Sequence, residues 1–118
     1  MKKAASYLSI VTISSVMAGS AMVADWLEGT YVNQDADSLM KEAVFCDGGK
    51  AYAGMGHRIY TVEAREGTKY VVLQSDGKFT FSVSDDGQTL SPADDFTKEW
   101  FTKTGLKKDP KRTDTCNW

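Results

Sequence analysis

The sequence predicts a mostly β domain, a small antiparallel β-barrel or sandwich wound as a meander, with one or two short helices and one disulfide. Three observations carry that prediction. Turn signals recur about every 8 to 12 residues, the spacing of strands that fold back on their neighbours. Phe79-Thr80-Phe81-Ser82-Val83-Ser84 alternates apolar and hydroxyl residues at period two, as a strand with one buried and one wet face does. The composition is that of an ordinary globular chain, 42% hydrophobic, 25% charged and 11% aromatic, over 118 residues that suffice for one domain.

Residues 1–24 read as a secretory signal peptide. Lys2 and Lys3 form a positive n-region, Ala4 to Val16 are apolar or small without charge, and Gly19-Ser20-Ala21 offers the small residues a signal peptidase reads. Cleavage is expected after Ala21 or Ala24. Hydroxyl residues within the apolar run, and Gly19 after it, argue against a membrane anchor. No Cys follows to carry a lipid, so residues 25–118 are expected to form a single β-rich domain, periplasmic and without stable membrane insertion.

Within that domain Thr30-Tyr31-Val32 is β-branched and aromatic, which suits a first strand. Asp35 to Glu42 is expected to make one helical turn. Ala43-Val44-Phe45-Cys46 is the next strand, and Asp47-Gly48-Gly49-Lys50 turns the chain into Ala51-Tyr52-Ala53. Gly54-Met55-Gly56-His57-Arg58 follows as a glycine-hinged tip. Ile59 to Glu63 and Lys69 to Leu73 flank a turn at Arg65-Glu66-Gly67-Thr68, and Ser75-Asp76-Gly77 leads into the alternating strand from Lys78. Asp85-Asp86-Gly87-Gln88 then turns the chain into Thr89-Leu90. With Ser91 as N-cap, Pro92 at the first helical position and Asp94 in the first turn, a short helix is predicted over 92–97. The stretch from Phe96 to Thr104 has two readings, a helix with Phe96 and Trp100 on one face and Gly105 as its stop, or, as favoured here, the short helix followed by a closing strand at Trp100-Phe101-Thr102; Trp26 and Trp100 are expected in the core. Lys107 to Trp118 is expected to be an extended tail.

Cys46 and Cys116 are an even pair in an exported chain, which predicts one disulfide tying that tail to the second apolar segment. Removing Lys2 and Lys3 leaves 12 basic against 16 acidic side chains, a net charge of −4 over residues 25–118. Such a surface has no electrostatic reason to seek nucleic acid. The balance is uneven, because Lys98 to Arg112 holds six bases against two acids. That segment is either a solvated basic terminus or a contact for an acidic partner.

Most catalytic chemistry is missing from the sequence. His57 is the single histidine, so neither a multi-histidine metal site nor a histidine-based catalytic pair with a spare base can be built. There is no G-x-S-x-G motif, and the expected disulfide consumes both thiols. Asp35-Ala36-Asp37 begins like a calcium loop, but Met40 and Cys46 stand where glycine and glutamate are required. The reading is therefore of a protein that is not an enzyme and uses no cofactor or metal. The tip is the more informative segment. Met55 is a flexible apolar side chain, Arg58 can pair with a carboxylate, and His57 can donate to one, so Tyr52, Met55, His57 and Arg58 are the candidate partner-binding residues. The competing reading is an ordinary hairpin with Met55 folded onto the core.

Trp26-Leu27-Glu28-Gly29-Thr30-Tyr31, the run from Phe79 to Leu90, and Phe101-Thr102-Lys103 together resemble the small lipocalin-like (calycin) barrels of bacterial periplasmic proteins. In size, leader and single disulfide the chain is also similar to periplasmic lysozyme inhibitors and to immunity proteins against type VI secretion effectors. The resemblance implies a protein-binding protein that occludes the active site of a peptidoglycan hydrolase or secreted toxin. The alternative it implies is a calycin-type carrier whose apolar ligand would lie against Val72, Phe79 and Phe81.

Overall fold

The computed structural model describes residues 25–54, 56–112 and 114–116; the predicted leader, Met55 and Trp118 lie outside them. Among the described residues eight strands form a closed antiparallel barrel: β1 (Gly29–Asn33), β2 (Glu42–Phe45), β3 (Lys50–Ala53), β4 (Gly56–Arg65), β5 (Thr68–Gln74), β6 (Lys78–Val83), β7 (Thr89–Pro92) and β8 (Leu106–Asp109). Each strand pairs with its successor, and β8 returns to β1 through Thr30↔Asp109 and Asn33↔Leu106. Closure removes the unpaired edges that an open sheet of this size would present.

Side chains fill the interior, as expected for a barrel of eight strands. Tyr31, Phe45, Phe81, Phe101, Leu73, Leu90 and Leu106 are essentially inaccessible. Their rings meet edge to face, Tyr31 on Phe45 at 5.6 Å and Phe81 on Phe101 at 5.2 Å between centroids. The alternation predicted for β6 holds, with Phe79, Phe81 and Val83 inward. Val72 does not line the interior. The register Val71↔Phe81, Val72↔Thr80 and Leu73↔Phe79 turns Val71 and Leu73 inward and places Val72 on the outer face with Thr80.

The expected disulfide is present, joining Cys46 and Cys116. The segment beyond β8 recrosses the outer face of β1 and β2: Arg112 Nη2 reaches Glu42 Oε2 at 3.1 Å, and Thr30 Oγ1 donates to Asp114 Oδ2 at 2.6 Å. Thr30 and Val44 are buried although they point away from the interior.

Several local expectations change. Residues 35–42 form a turn and a loop instead of a helical turn, because short polar side chains capture the local amides. Asn33 Oδ1 accepts from the Asp35 amide at 2.9 Å, and Ser38 Oγ accepts from the Met40 amide at 3.0 Å. The β3–β4 tip is shorter than predicted. Gly54, at φ +64°, lets the chain reverse in two residues, so Tyr52 pairs with His57 and Ala51 with Arg58 inside the ladder.

The helix α1 spans Asp95–Trp100, not 92–97, because β7 continues to Pro92, which pairs with Phe81. Its N-cap is Asp94, whose side chain accepts from the Thr97 amide at 2.8 Å. The shift turns Thr97 and Phe101 inward and leaves Trp100 62% and Phe96 44% exposed, so Trp100 is not a core residue; Trp26 is partly buried against the core. Trp100-Phe101-Thr102 ends the helix instead of closing the sheet. The closing strand is β8, taken from the segment assigned to the tail. It follows Gly105, whose φ of +121° and position 2.8 Å from the Leu90 carbonyl oxygen, measured to where a Cβ would stand, exclude a side chain.

Candidate functional site

In an up-and-down barrel alternate connections share an end, which makes the two ends chemically distinct. At one end lie the chain start, the β2–β3, β4–β5 and β6–β7 turns and the departing tail. That end is capped. Trp26 packs over Gly87, where an added Cβ would stand 3.3 Å from the ring, and Lys69 Nζ sits 5.0 Å from the Trp26 ring centroid. Lys108 Nζ donates to the Trp26 carbonyl at 2.6 Å, and the Tyr31 hydroxyl donates to the Gly87 carbonyl at 2.6 Å. Burial lowers the Lys108 ammonium's pKa and raises that of the Tyr31 hydroxyl well above the usual phenol range.

The opposite end carries the β1–β2 loop, the β3–β4 hairpin, the β5–β6 turn and the β7–β8 connection with α1. Here apolar side chains face water: Leu39 is 94%, Trp100 62% and Phe96 44% exposed. Their backbones are nevertheless fixed. The Phe101 carbonyl accepts from Asn33 Nδ2 at 2.9 Å and from Ser38 Oγ at 2.5 Å, tying the loop that bears Leu39 to the end of α1. Asp35 Oδ2 accepts from the Lys103 amide at 3.0 Å, and that bond, followed by one from the Asp37 amide, holds its carboxyl below the usual range. Phe96 stacks on Phe79 at 5.2 Å, with its ring tip over Gly77.

The predicted binding residues belong to this same end. Tyr52 and His57 are cross-strand partners on the outer face, their rings 5.0 Å apart and steeply inclined. Arg58 stands on the other face, opposite buried Ala51, at the mouth of the barrel. Its guanidinium lies across Gly56: an added Cβ there would stand 2.9 Å from Cζ and 3.0 Å from Nη2. Arg58 Nη1 donates to the His57 carbonyl at 3.1 Å, whereas its buried Nε–H has no acceptor among the described residues. Met55 lies outside the described residues; Tyr52 and His57 meet on the outer face, and Arg58 stands on the opposite face of the same hairpin. They sit within the ladder and not on a protruding tip.

Beside Arg58 an open cleft of about 370 Å³ runs along the ends of β4 and β5, lined by His57, Arg58, Ile59, Gln74, Ser75 and Asp76. Sequence reading missed its β5 side and the exposed rim. The rim was detectable in part, since Asp94 is a cap residue as good as Ser91 and meander topology brings alternate connections together. Among the described residues no three of His, Cys, Asp or Glu gather as a metal site would require, and no helix is long and apolar enough to cross a membrane. Comparison with protein-family models, with characterised proteins and with solved structures found no match for the chain.

Proposed function

We propose that this is an exported, periplasmic protein-binding protein that neutralises a cell-wall-degrading enzyme or secreted toxin by seating the open end of its barrel over that enzyme's active site. The observation that carries the reading is the contrast between the two ends. One is sealed by Trp26 and the hydrogen bonds around it, while the other holds Leu39, Phe96 and Trp100 in water on hydrogen-bonded supports, at the barrel end that also carries Arg58. Exposed apolar side chains on a fixed backbone are what an interface needs, because little ordering entropy is lost on docking. A tryptophan and an arginine at one site are the residue types that dominate binding energy. Peptidoglycan hydrolases work through carboxylates in clefts, and an arginine at the occluding end complements them.

The interior supports this reading over that of an apolar-ligand carrier, since its aromatic side chains contact one another and occupy the barrel. The eight-stranded meander is compatible with the calycin resemblance. The test is affinity capture by the tagged mature protein from periplasmic extracts of its own and neighbouring strains, alongside a Leu39→Asp, Trp100→Ala variant. Retention of a hydrolase by the parent and its loss with the variant is expected. Retention of lipid or small molecules in place of protein would replace the reading with the carrier.

A further inference from the structure

The cleft between β4 and β5 has a chemistry that docking by the apolar rim does not require. Its lining includes the basic Arg58 from β4 and the acidic Asp76 from the β5–β6 turn. They form no ion pair with each other, and neither belongs to any of the salt bridges among the described residues. The ion pairs among the described residues lie elsewhere, Arg112 with Glu42 and Asp114, and Arg65 with Glu63. Arg58 is also incompletely satisfied, its buried Nε–H lacking an acceptor, a state that costs free energy until a ligand or a small rotation supplies one. Gly56 keeps open the space that its guanidinium occupies.

Two opposite charges that line one cleft without pairing suit a ligand that brings both complements. We propose that this cleft binds an α-amino-acid zwitterion, its carboxylate on Arg58 and its ammonium on Asp76. Gln74 and Ser75 offer neutral donors and acceptors between the two charges, and Ile59, 56% exposed, gives an apolar platform for the ligand side chain. The cleft, about 370 Å³ and open to solvent, has room for an amino acid with its side chain. A lone carboxylate would leave Asp76 unmatched and repelled, and a lone amine would do the same to Arg58. The zwitterion comes either as a free amino acid or as the doubly charged free end of a diamino acid within a peptide. The site shares Arg58 with the proposed docking surface and adds Asp76, which that surface does not use, so Asp76→Asn separates the two.

The isotope-labelled mature protein is titrated with alanine, propionate and ethylammonium at constant ionic strength, reading the Arg58 Nε–Hε and Asp76 Cγ resonances. Alanine is expected to move both resonances saturably, with propionate and ethylammonium each about tenfold weaker or more. Arg58→Lys and Asp76→Asn, both at partly or fully exposed positions, should each weaken alanine binding about tenfold with the remaining spectrum unchanged. A dipeptide bearing a diamino acid with a free zwitterionic end separates the two sources by whether it binds more tightly than alanine. Propionate binding as well as alanine, shifts that stay linear to about 50 mM, or variants that bind like the parent would each overturn the proposal.

Discussion

Trp100 and Phe101 are adjacent, aromatic and of opposite consequence. Phe101 is 1% exposed, and its ring stands 5.1 Å from Phe79 and 5.2 Å from Phe81, both edge to face. Phe101→Ala removes these contacts and leaves a void at the open end of the barrel, for which the expected cost is about 3–5 kcal/mol. Against a total of about 5–15 kcal/mol for a domain of this size, that lowers the melting temperature by roughly 15–30 °C. Trp100→Ala removes a side chain that is 62% exposed and makes no ring contact among the described residues, so its cost stays within about 0.5 kcal/mol. Thermal unfolding of both variants followed by circular dichroism makes the comparison. Equal destabilisation, or a larger loss for Trp100→Ala, would refute the helix phase and with it the exposed rim.

Glu66 holds φ +51° beside Gly67 at +83° in the β4–β5 hairpin, so Glu66→Asn, which suits a turn of this hand, should add about 0.5–1 kcal/mol in urea unfolding; a loss would contradict the turn. Reducing the Cys46–Cys116 bond, which spans 70 positions, should cost up to about 4 kcal/mol in the loop-entropy account and speed amide exchange at Thr30 and Val44. Unchanged exchange there would show that the tail does not depend on the disulfide. Asp114 is held below its ordinary value of 3.8 by the Thr30 hydroxyl first and then by Arg112. A carboxyl depressed in the fold stabilises fully above its unfolded pKa and loses that contribution as pH falls through the folded one. The stability gap between parent and Asp114→Asn should therefore narrow in acid scans below about pH 4, and a pH-independent gap would remove Asp114 from the clamp.

The β architecture was legible because strands announce themselves locally. Period two in β6, β-branched pairs in β4 and β5, and glycine-bearing turns at Gly67, Gly77 and Gly87 each follow from a few neighbouring residues. The disulfide was legible for a different reason, since two cysteines leave one pairing. What was not legible depended on partners distant in sequence. The helical turn expected at 35–42 lost to side-chain bonds from Asn33 and Ser38, and Ser38 in turn grips the Phe101 carbonyl, 63 positions away. Ser91-Pro92 looked like a helix start, but Phe81 had a place for Pro92 at the end of β7. The lysine-rich run after Gly105 looked like a tail because Lys107 and Lys108 hide a strand that only β1 and β7 complete. Tyr52, His57 and Arg58 were singled out by composition, and the fold sets them on one hairpin, Tyr52 and His57 on its outer face and Arg58 on the inner; Leu39, Trp100 and the Gln74 to Asp76 wall required the topology.

The central claim is occlusion of a hydrolase active site by the open barrel end, and enzyme inhibition tests it more directly than binding alone. Clearing of purified peptidoglycan by the captured hydrolase is measured against increasing mature protein, with the parent, Arg58→Glu and Trp100→Ala compared. Loss of activity at one inhibitor per enzyme, relieved by excess substrate, is expected. The Trp100→Ala variant should weaken inhibition by about 30-fold, corresponding to about 2 kcal/mol for an interface tryptophan. A stable complex in which the hydrolase keeps its activity, or inhibition indifferent to both substitutions, would contradict that claim.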